Sequence, residues 1–139
     1  MSALAKPDYR VIVETPLRQI VPWALAVLFA SIAGYPGVIC ITPMAWLLAL
    51  RVGNLVAWRS RSERSSRRLL EAALAGGIFG FLQGLLFAGV SPFMGPLRQD
   101  EIARAIGLAL VIMVFSVFAG AGLSCFTAWL NERKRTAHP

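Results

Sequence analysis

The chain has 139 residues, of which 57% are hydrophobic and 15% charged, with a formal net charge of +7 and a mean hydropathy of +0.64. A soluble domain is about 45–50% apolar and about 25% charged, and here the charges are also segregated: no Asp, Glu, Lys or Arg occurs from Gln19 to Leu50, from Ala72 to Leu97 or from Ala105 to Asn131. A soluble bundle of this length has too little interior to bury three such runs, so composition argues against a soluble globular fold and predicts a single all-α integral membrane domain.

The first uncharged run follows a mixed-charge stretch of Lys6, Asp8, Arg10, Glu14 and Arg18. A cleavable signal peptide has a basic start, a shorter apolar core and a small-residue cleavage site, so this segment is expected to stay with the mature protein. Tyr9–Val13 reads equally as a surface-lying stretch or as an extended arm. Thr15-Pro16 reads as a cap followed by proline at the first helical position, where a missing N–H costs nothing; Pro22 follows within two turns. The run of 32 residues would make a helix of about 48 Å, too long for one straight crossing of a core about 30 Å thick. Gly34-Tyr35-Pro36-Gly37 interrupts it with a strong turn signal. Two short spans are predicted, roughly Leu17–Ala33 and Val38–Trp58, joined by a tight hairpin; the alternative is one kinked span, giving three crossings instead of four.

The second span carries Arg51, the one charge more than a turn inside the approximate span bounds. An intramembrane ionisable group is a functional candidate by default. Yet Arg51 lies seven residues from Trp58, about 10 Å of helix rise, and an arginine snorkels that far; contact with a partner or a lipid headgroup, or ion or proton coupling, are the alternatives. Asn54 shares its face. The loop 59–68 contains Arg59, Arg61, Arg64, Arg67 and Arg68 and reads as a topology anchor that attracts anionic lipid headgroups, at roughly 1 kcal/mol per basic group. It lacks the aromatic platform or module of a nucleic-acid binder, so no nucleic acid is expected as a partner.

The third span, Leu69–Val90, holds Ala72, Gly76, Gly80, Gly84 and Ala88 at every fourth position, one nearly straight row on a helix. In a bilayer that row is a small-xxx-small packing groove. Glu71, within a turn of Arg67 and Arg68, reads as half of a surface ion pair of small value. The fourth span, Ile102–Leu130, carries a second row, Ser116, Gly120, Ser124 and Ala128. The simplest arrangement packs the third span on the fourth, with surface to spare for one groove to face another subunit. Ser31, Thr42, Ser116, Ser124 and Thr127 are expected to bond to backbone carbonyls one turn back.

Four spans place eleven of the fourteen Lys and Arg on one side. Lys6 and Arg10 precede the first span and Arg18 lies at its very start, while Arg133, Lys134 and Arg135 follow the last. Arg98 and Arg104 fall on the other side, offset by Asp100 and Glu101. The positive-inside rule then puts both termini in the cytoplasm, in a bacterial inner or plasma membrane. Tyr35, Trp58, Phe93 and Trp129 fall at the expected interfaces. Cys40 and Cys125 fall at opposite ends, too far apart for a disulfide. A single His138 offers no metal or haem site, and no Walker, Rossmann or nucleophile-elbow motif occurs; no enzyme activity, cofactor or metal is expected. The leading reading is a non-catalytic accessory or scaffold subunit that contacts lipid and either other membrane subunits or itself. The alternative is a small oligomeric transporter or channel for a small solute or anion, with Arg51, Asn54 and Gln83 as its polar lining.

Overall fold

A computed structural model describes residues 8–32, 34–60, 64–90 and 99–137, with side chains described outside 34–39, 41, 99–105 and 135–137. The described residues form four helices, α1 (Tyr9–Ile32), α2 (Gly34–Arg59), α3 (Ser65–Val90) and α4 (Gln99–Ala137). Three stretches, Tyr9–Ile32, Ser65–Val90 and Ile106–Lys134, are long and apolar enough to cross a membrane.

α1 begins well before the expected start at Leu17. Asp8 is its N-cap: its carboxylate accepts from the Val11 N–H at 3.4 Å and its carbonyl from the Ile12 N–H at 3.1 Å, the role for which a short acidic side chain is suited. Tyr9–Val13 is therefore helical. Thr15 and Pro16 are not the cap but lie buried inside α1. Pro16 leaves the Ile12 carbonyl without an intrahelical donor, a loss that apolar bundles tolerate when neighbouring helices cover the site.

The turn signal at Gly34–Gly37 is absorbed into the first turn of α2. Pro36 is the third residue of that helix, where its missing N–H has no intrahelical acceptor to lose. α4 extends past the expected 102–130 at both ends. Its 39 residues correspond to about 58 Å. No proline interrupts it, and Glu132, Arg133, Lys134 and Ala137 are good helix formers.

Glu71 fixes the relative directions of the helices. Its carboxylate accepts from the Asp8 N–H at 3.4 Å and from the Ser60 hydroxyl at 2.5 Å. Arg68 pairs with Glu132 at 3.1 Å. The start of α1, the end of α2, the start of α3 and the end of α4 thus share one end of an up-down-up-down bundle. α2 and α3 occupy the middle and touch each other, while α1 and α4 flank them on opposite sides; α3 and α4 form the most extensive pair.

Small side chains fill the interior and large ones cover the outside. Ala45, Ala49, Ala57, Ala72, Ala75 and Ala128 are buried, joined by Trp23, Val27, Val52, Val56 and Phe79. Phe29, Ile32, Phe115 and Phe118 are 66–84% exposed. In water such a surface would be an association patch. In lipid it costs nothing, and helix association then depends on close van der Waals approach rather than on apolar burial.

Candidate functional site

The main feature of the interior is a seam where α2, α3 and α4 meet at backbone distance. A Cβ added at Gly76 would lie within 3 Å of the Gly120 carbonyl oxygen and the Ser124 side chain. One at Gly80 would lie 2.6 Å from the Ser116 carbonyl carbon, and one at Gly84 2.8 Å from the Met113 Cα. Gly120 meets Gly76 from the other side. Ala72, Ser116, Ser124 and Ala128 are buried in the same seam, and Ala88, near its far end, is half-buried. The two rows therefore pack mainly on each other, inside one chain.

A third row belongs to the seam. Ala45, Ala49, Gly53 and Ala57 recur at every fourth position of α2 and all are buried. A Cβ at Gly53 would lie 2.5 Å from the Ser124 Cα. Ser124 is the point at which the rows converge. Its hydroxyl donates to the Ala49 carbonyl at 2.8 Å, bridging α4 to α2 instead of bonding one turn back along its own helix. Ser31 and Thr127 do bond locally, to the Leu28 and Leu123 carbonyls respectively.

A polar junction closes one end of the bundle. Glu71 is 2% exposed, so it is not the surface ion pair expected from its spacing. Three helices converge on its carboxylate: the Asp8 N–H of α1, the Ser60 hydroxyl at the end of α2, and Arg67 of its own helix at 3.7 Å. A carboxyl group this buried is tolerated because its oxygens have hydrogen-bond partners. Arg68, whose side chain is 15% exposed, ties α3 to Glu132 of α4. Beside Glu132, the Asn131 amide donates to the Asn54 carbonyl oxygen of α2 at 2.7 Å. Outside this ring, Arg133 stacks 4.2 Å over the Trp129 ring, which itself stacks on Phe126.

The arginines of the loop thus divide. Arg67 and Arg68 are turned towards carboxylates, whereas Arg59 and Arg64 are exposed. Arg51 is exposed on α2 and has no acidic partner among the described residues. Lys6, Tyr35, Arg61, Phe93, Arg98, Arg104, Arg135 and His138 lie outside the described side chains. Among the described residues no group of three His, Cys, Asp or Glu is placed to hold a metal, and Cys40 and Cys125 are free thiols. An open apolar groove of about 550 Å³ runs between Ile20, Val21, Ala24 and Leu25 of α1 and Leu82, Leu85, Leu86, Gly89 and Val90 of α3.

Comparison with known protein families, curated proteins and solved structures gives no match for this chain.

Proposed function

We propose that the chain is a four-span membrane protein with no chemistry of its own, serving as an accessory or scaffold subunit of a larger membrane complex. The observation that carries this reading is the inverted distribution of side chains, with small residues in the seam and Phe, Leu and Ile outside. α2 is taken as the fourth span: its 26 residues rise about 39 Å, and it packs against α1, α3 and α4 in an alternating bundle. Both termini and the arginine loop then lie on the cytoplasmic side, in keeping with the excess of basic residues there.

Because the small-residue rows are occupied within the chain, a partner would meet the bulky outer faces. Gentle extraction from the native membrane followed by native electrophoresis tests the reading. A stable particle containing other membrane proteins in fixed ratio supports it. A monomer contradicts it, and a small homo-oligomer shifts weight to the transporter or channel reading.

A further inference from the structure

We propose that Arg18 and Arg51 form one phosphate-binding level on the α1–α2 hairpin, each holding the phosphate of an anionic phospholipid in the leaflet nearest Glu71. The proposal rests on the membrane reading above and adds to it a ligand class, a depth and two residues.

The depth follows from Glu71. Asp8 and Ser60 bond to the same carboxylate, so the start of α1 and the end of α2 are level. Arg18 lies ten residues along α1 from Asp8 and Arg51 nine residues back along α2 from Ser60. At 1.5 Å per residue both lie about 14–15 Å below that junction. Two arginines far apart in sequence are thereby brought to one depth.

Both are exposed, Arg18 with 63% of its side chain accessible. Beyond them the hairpin is free of charge: Gln19–Ile32 rises about 21 Å and residues 34–50 about 26 Å. Each length is short of the roughly 30 Å hydrocarbon core. The deficit is made up if the guanidinium groups reach back towards the Glu71 end and mark the hydrocarbon boundary.

Among the described residues the charge at this level is not balanced. Arg10 and Arg18 share the single carboxylate of Glu14. Arg51 has no acidic partner among the described residues, and Glu71 and Glu132 at the junction are held by Arg67 and Arg68. An anion from the lipid supplies the balance, and a phosphate matches the guanidinium fork. Below each arginine the same helix face turns apolar, as an amphiphile requires. Val21 and Leu25 continue below Arg18 into the wall of the α1–α3 groove, while Leu47 and Met44 lie exposed below Arg51.

The test uses the full chain, purified in detergent and stripped of lipid, and measures phosphatidylglycerol and phosphatidylcholine binding by native mass spectrometry. Wild type is expected to prefer phosphatidylglycerol. R18Q/R51Q should lose roughly 30-fold in phosphatidylglycerol affinity, R18K/R51K should stay within a few-fold of wild type, and R59Q/R64Q, which removes equal charge nearer the loop, should lose less than R18Q/R51Q. Inorganic phosphate should not displace the lipid. The proposal is overturned if a helical, monodisperse R18Q/R51Q binds as wild type does, if R18K/R51K loses as much as R18Q/R51Q, if R59Q/R64Q loses equally (diffuse attraction only), or if inorganic phosphate displaces the lipid. Failure of the underlying membrane reading is seen separately, as release of the protein by alkaline carbonate without detergent.

Discussion

Ser124 and Ala49 are 75 residues apart in sequence and are joined by a 2.8 Å hydrogen bond from hydroxyl to carbonyl. That bond is possible only because Gly53 and Gly76 let the α4 backbone approach α2 and α3 together. Interhelical hydrogen bonds in lipid average about 0.6 kcal/mol, so Ser124→Ala is expected to lower stability by about that amount in SDS-titrated unfolding followed by circular dichroism. Ser124→Val adds bulk against Gly53 and Gly76 and should cost about 1–3 kcal/mol. Equal effects of the two substitutions would show that the hydroxyl, not the close approach, matters at this position.

Glu71 is expected to hold the entry of α1. Glu71→Ala leaves Arg67, the Ser60 hydroxyl and the Asp8 N–H without their shared acceptor and should cost about 3 kcal/mol. Glu71→Gln keeps an acceptor and should cost less. Hydrogen exchange at the first turns of α1 is the measurement: protection there should fall in Glu71→Ala more than protection in the middle of α3. Unchanged protection at α1 would remove Glu71 from that role.

Orientation is tested at Arg64, which is exposed at the end where α1 starts and α4 finishes. Arg64→Cys, in a chain with Cys40 and Cys125 replaced by Ala, should react with a membrane-impermeant maleimide only after the membrane is opened. Labelling of intact cells would reverse the assignment of that end to the cytoplasm.

Much of the seam is legible in the chain because it depends on one local rule. A residue every fourth position shares a helix face, so Ala72 to Ala88 and Ser116 to Ala128 declare themselves as grooves. Ala45, Ala49, Gly53 and Ala57 obey the same rule and are equally readable, on the face of α2 beside the outward stripe of Arg51 and Asn54. What local rules miss is set by tertiary contact. Thr15-Pro16 has the chemistry of a helix start, yet Asp8 takes that role because Glu71 anchors it from another helix. Glu71 itself is four residues from Arg67, a spacing that suits a surface pair; its burial depends on three helix ends meeting, which no window of sequence contains.

If the small-residue rows hold this chain together from within, two glycine-to-alanine substitutions on facing helices must behave differently. A Cβ at Gly80 would meet the Ser116 backbone well inside 3 Å, whereas one at Gly122 would meet nothing within 4 Å. In SDS-titrated unfolding, Gly80→Ala should lose about 1–3 kcal/mol, while Gly122→Ala should be unchanged or gain up to about 1 kcal/mol from helix propensity. Equal stability of the two variants would contradict the packing of α3 against α4 through this seam.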